Sequence, residues 1–163
     1  MKRVIYLFAF LLSCEAGFSQ HKLQDGIYLI DSSTVNNTVA AEKDKASVQL
    51  NPFFFEGDPD SYKPLVVFIN DFVPFNLASA PVIQQQNGNE GQVLVHLTDS
   101  TAQQLNVFTA KNRMNQVVVV IDNQAIAVYK IFQPVSNGLI KITKCTGSAC
   151  SLISRQLKNA LKS

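Results

Sequence analysis

The chain has 163 residues, of which 47% are hydrophobic and 16% charged, with a formal net charge of +2. That length and composition fit one globular domain with a real core and are short for two. No basic stripe runs through it, which excludes a nucleic-acid-binding surface and implies no electrostatic partner.

The first element is a leader. Lys2 and Arg3 precede an apolar run at 4–12 (VIYLFAFLL), which is too short for a stable membrane anchor of about 20 residues. Residues 1–19 are therefore expected to act as a signal peptide, and two processing routes stay open. Leu11-Leu12-Ser13-Cys14 fits a lipobox, making Cys14 a lipidation candidate, whereas Gly17-Phe18-Ser19 fits ordinary cleavage before Gln20. Either route predicts an exported protein: periplasmic, outer-membrane-associated or secreted. No later stretch is long and apolar enough to span a bilayer, so the membrane is expected to be met only through a lipid anchor at Cys14.

Residues 20–71 are expected to hold N-terminal strands and loops. Residues 26–31 (GIYLID) form a strand candidate, followed by a polar stretch at 32–47. The segment 52–60 (PFFFEGDPD) is rich in turn formers. Within it, Phe53, Phe54 and Phe55 cannot all be buried on one side if the run is extended. They either pack under a neighbouring loop or form a docking patch for a protein partner. Glu56, Asp58 and Asp60 alternate as in a calcium loop, but the other ligands are missing and Pro59 stiffens the run, so an acidic turn is expected. Residues 63–70 (KPLVVFIN) predict a buried strand. Residues 76–86 could hold a short helix broken at Pro81.

From 72 to 163 the pattern tightens into an expected α+β domain. Residues 92–98 alternate, with Val93, Val95 and Leu97 on one face. Asp99-Ser100-Thr101 opens a helix, with Ser100 and Gln103 spaced as a capping box. Ala102, Leu105, Phe108 and Thr109 form its buried stripe, and Lys111 and Arg113 stand in its last turn. Val117 to Ile121 has no polar face and predicts a central strand, closed by an Asp122-Asn123 turn. Strands at 127–132 and 139–143 follow, joined through Ser136-Asn137-Gly138. Ser148 is expected to cap a final helix whose apolar stripe is Ala149, Leu152, Ile153, Leu157, Ala160 and Leu161. This order predicts an α+β fold: a mixed or antiparallel sheet with two helices on one face, a ferredoxin-like sandwich.

Chemistry-bearing residues are sparse. Cys145 and Cys150 lie five apart at the start of the last helix, where an exported protein favours a disulfide. Buried free thiols or a redox pair are the alternatives. His21 and His96 have no partner at ligand spacing, so no metal and no cofactor are expected. No nucleophile elbow or phosphate-binding glycine run is present, and catalytic residues are not expected.

The segments Val93-Leu94-Val95, Phe108-Thr109-x-x-Asn112, Val118-Val119-Val120-Ile121-Asp122 and Gly138-Leu139-Ile140-Lys141-Ile142-Thr143 carry a resemblance. In that order they resemble the periplasmic head subdomain of SecD, an accessory subunit of bacterial protein export. Where the family follows its Asp with Ser-Ala-Pro, this chain has Val128-Tyr129-Lys130. The resemblance implies a stand-alone, SecD-head-like, non-catalytic envelope protein that acts through contacts with protein partners and has a link to protein export. A small thiol-redox or hydrolytic envelope enzyme, or a ligand-binding lipoprotein, is the alternative.

Overall fold

Side-chain alternation along one strand sets the architecture. In β6 (Gln116–Ile121), Val118 and Val120 point to one core while Val117, Val119 and Ile121 point to another, and all five are 5% exposed or less. A strand buried on both faces needs a β-branched run of this kind. The computed structural model describes residues 22–33, 43–51, 54, 64–85 and 90–161.

Five strands close a barrel in the order β1 (Gly26–Ile30), β3 (Leu65–Pro74), β2 (Lys45–Leu50), β7 (Gln124–Lys130) and β6. All pairs are antiparallel except β2 with β7, which run parallel through Gln49–Gln124 and Leu50–Ala125. Its interior is filled by Tyr28, Val48, Val67, Val118, Val120 and Ala125. Tyr28 stacks on Phe72 at 4.7 Å and donates its hydroxyl to the Gln24 carbonyl at 2.7 Å. Burial pushes the Tyr28 hydroxyl pKa up to about 12.

The hairpin between β6 and β7 turns on Asp122 and Asn123, both in the left-handed region at φ 50° and 63°. A two-residue loop of that hand matches the twist of the strands, and Asp and Asn tolerate it. The turn is tied to the chain before β1: Asp122 N donates to Asp25 Oδ1 at 2.8 Å, and Leu23 N donates to Asn123 Oδ1 at 3.1 Å. Desolvation by burial raises the Asp25 pKa, against the lowering effect of that backbone hydrogen bond.

A second sheet has the order β4 (Val82–Gln85), β5 (Glu90–His96) and β8 (Leu139–Thr146). Helix α2 (Gly147–Ala160) packs on this sheet through Ala149, Cys150, Ile153 and Leu157, each 2% exposed or less. Helix α1 (Asp99–Lys111) packs instead against β3 of the barrel, and Lys111 Nζ reaches Asp71 Oδ2 at 3.1 Å. The large outer core lies between the barrel wall, the second sheet and both helices.

The α+β class with two helices therefore stands, and the ferredoxin-like sandwich is corrected. The strands close into a barrel, and the helices cover different strand systems. The strands on either side of position 71 share one sheet, because β3 runs through it and β1 pairs with β6. Residues 82–85 are strand rather than helix, and β2 begins inside the polar stretch at 32–47 and runs on to Leu50. At α1 the cap is Thr98, whose hydroxyl accepts from Thr101 N at 3.5 Å, in place of the expected Ser100 box. At α2 the cap position is Thr146 rather than Ser148, and Leu161 is 42% exposed.

Candidate functional site

Two strands run out of partners beside one another. β7 meets β2 only at Gln124 and Ala125, so 126–130 have β6 on one side and no strand on the other among the described residues. Among the described residues β8 is likewise paired only with β5. Between them opens a cleft of about 340 Å³. Its floor is Ile27, Val117 and Val119 of the barrel with Leu105 of α1, and Ile140 of β8 forms the far wall. Lys130, Phe132 and Lys141 stand at its rim, and among the described residues no carboxylate lines it.

The loop that frames the mouth is held by hydrogen bonds as well as by the packing of Ile131 and Val135 on the outer core. Ile131 N donates to Asn115 O at 3.0 Å, and Met114 N donates to Ile131 O at 2.7 Å. Thr109 Oγ1 donates to Leu105 O at 2.7 Å and accepts from Val135 N at 2.9 Å, so a buried helical threonine anchors the loop. Gly138 closes it at φ 63°, and a Cβ there would lie 2.6 Å from that of Ala102. Only glycine satisfies both demands. Between these anchors Phe132 remains 67% exposed, with Lys130 Nζ 5.9 Å from its ring centre.

Across the cleft, the Tyr129 hydroxyl donates to Lys141 O at 3.1 Å. The lining thus offers apolar surface, strand-edge backbone and two ammonium groups. It suits binding of an apolar group with a neighbouring anion.

The expected site residues fall elsewhere. Cys145 and Cys150 are joined in a disulfide with Cα atoms 5.2 Å apart, linking the end of β8 to the first turn of α2. They are 3% and 0% exposed, out of reach of an exchanging thiol, which fits a structural bridge. Phe54 packs, partly buried, against the outer core. Phe53, Phe55, Glu56, Asp58, Asp60, Cys14, His21 and the whole leader lie outside the described residues. His96 is exposed at the end of β5, and no group of three metal-ligating side chains occurs among the described residues. Thr109 and Asn112 hold structure: Asn112 N donates to Phe108 O at 3.0 Å to end α1. The sequence reading passed over the cleft, and its local signal was Phe132 beside Gln133-Pro134, an aromatic in a segment that cannot continue a strand.

No family model matches the sequence, and no curated protein matches it. Solved structures do. Two are of SecDF. One, described as a membrane component that enhances protein export, is 18% identical with a TM-score of 0.49, covering 83% of this chain and 62% of its own. The other, SecDF in a super-membrane-facing form, is 16% identical with a TM-score of 0.49, covering 84% of this chain and 19% of its own. This chain therefore spans less than two thirds of either.

Proposed function

We propose that this is an exported cell-envelope protein that works without catalysis, by holding extended apolar segments of other polypeptides in the cleft between β7 and β8. The observation that carries this reading is the half-open apolar cleft, bordered by a strand edge with no partner strand among the described residues and by a Phe132 left 67% exposed. At the mouth of the cleft this ring extends the apolar surface that a partner could cover. The leader supplies the address, and protein export, the process named for the SecDF structure, is the setting in which such contacts would be used.

The test is fluorescence anisotropy of a labelled, permanently unfolded polypeptide against the full chain and its Phe132→Asp variant. Binding should weaken at least about fivefold in the variant, the equivalent of roughly 1 kcal/mol. Equal binding by both proteins would count against the reading. A second reading, a small apolar ligand, is favoured by one observation: a volume of about 340 Å³ is within the range of small-molecule pockets. A rise in melting temperature with a small apolar compound, and no polypeptide binding, would select it.

A further inference from the structure

The hydrogen bond from Leu97 N to Gly138 O at 3.0 Å fixes the parity of β8. Leu97 and Gly138 continue the register that pairs Val95 with Ile140 and Val93 with Ile142. In an antiparallel ladder, alternate residues bond to the neighbour, so Ile140 and Ile142 present their backbone groups to β5. Those of Leu139, Lys141 and Thr143 point outward, along the border of the cleft. Two side-chain contacts agree with this assignment. Asn137 Oδ1 accepts from Leu139 N at 3.1 Å, and the Tyr129 hydroxyl binds Lys141 O at 3.1 Å. Both occupy positions that a neighbouring strand would otherwise fill.

Side-chain direction follows the same parity. Ile140 and Ile142 are buried in the outer core, whereas Lys141 is exposed on the opposite face. Any residue of an added strand opposite Lys141 would share its face, and the residues on either side would point into the cleft. The cleft has an apolar floor, two rim lysines and, among the described residues, no carboxylate in its lining.

We propose that the occupant is an extended peptide that adds to the outer edge of β8, with an apolar–acidic–apolar core whose acidic side chain pairs with Lys141. This rests on the polypeptide-binding reading above and specifies its ligand. The Tyr129 hydroxyl is the contact that such a strand displaces.

The experiment uses the full chain with two labelled nonapeptides that differ only in a central Leu-Glu-Val or Leu-Lys-Val. The glutamate peptide should bind about three- to fivefold tighter, the size of a favourable cross-strand charge pair. Lys141→Glu should invert the preference, and Tyr129→Phe should strengthen binding of the glutamate peptide. Backbone N-methylation at every second residue should abolish binding in one parity and spare it in the other. Binding that depends on Phe132 yet shows no charge preference and no parity would overturn this proposal and leave the broader reading standing. Absence of binding by either peptide, with no binding of an unfolded chain, would end both. Uptake of a fluorescent fatty acid in place of peptide would assign the cleft to an amphiphile. Self-association that buries Phe132 would assign it to a second copy. Either of these last results would overturn the proposal.

Discussion

The two hydrophobic cores share β6 and end differently. Inside the barrel, Tyr28, Val48, Val67, Val118 and Val120 are all 1% exposed or less, and closure of the strands leaves no side open. The outer core is sealed at one end by Ile153 and Leu157 of α2, both fully buried, and at the other opens into the cleft. Four consecutive valines therefore serve one finished core and one that stops short of closure. The unfinished end is where a binding role belongs, since a packed interior has nothing to offer a partner.

The hardest blow to this comparison falls at the sealed end. Leu157→Asp places a carboxylate where no solvent and no described cation reaches, and should cost more than about 4 kcal/mol. The variant is expected to show no cooperative melting transition by circular dichroism. A wild-type melting curve would mean that α2 is not needed to close the outer core.

Adjacent valines give the sharper contrast. Val118→Phe overpacks the closed barrel and should destabilise by about 1–3 kcal/mol, read from denaturant midpoints. Val117→Phe puts the same ring into the space of the cleft, with an expected stability change within about 1 kcal/mol. It should also block peptide binding. If the two variants lose equal stability, the distinction between a filled and an open core fails.

Next in size is the bridge at the far end of β8. Replacing both Cys145 and Cys150 by Ser should cost about 2 kcal/mol by the loop-entropy estimate, or roughly 4–8 °C in melting temperature. Peptide binding at the cleft should be unchanged, because the bridge lies at the α2 end of β8 and does not line it. A parallel loss of binding would show that the sealed end supports the open one.

Much of this contrast was written locally, and part of it was not. β1, β3, β5 and β6 declare themselves by alternation or by continuous β-branched runs, and the turn at Asp122-Asn123 by its residues. β2 hides in a polar stretch because only Val48 and Leu50 of its six residues are buried. Its parallel pairing with β7 is a long-range contact that no local pattern encodes. β4 has every residue exposed, so periodicity carries no information there. Thr98 rather than Ser100 is the cap because the helix begins at Asp99, two residues earlier than the capping-box spacing suggested. The cysteine pair was legible from its spacing and from the expected address. The cleft was not, because it arises where two strands of different sheets both lack a further neighbour among the described residues.

The smallest effect concerns how the two regions treat their lysines. At the barrel, Lys45 Nζ meets Asp31 Oδ2 at 3.0 Å, and Asp31 Oδ1 accepts from Ser33 N at 2.9 Å and from Ser33 Oγ at 2.6 Å. The Ser33 hydrogen bonds, with Lys45 behind them, hold the Asp31 pKa down at about 2. A carboxyl depressed in the folded state stabilises the protein above its ordinary pKa of about 4, and that contribution disappears as pH falls through the folded value. Wild type should therefore melt above Asp31→Asn at pH 6, with the gap closing between about pH 4 and pH 2. A gap that stays constant over this window would show that the charge on Asp31 contributes nothing and that hydrogen bonding alone joins β1 to β2. At the cleft, Lys130 and Lys141 have no carboxylate in the lining among the described residues, so no comparable acid-dependent change should arise from that side until an acidic ligand is bound. A melting curve of the peptide complex that gains the same acid sensitivity, in wild type and not in Lys141→Glu, would place the missing carboxylate on the partner.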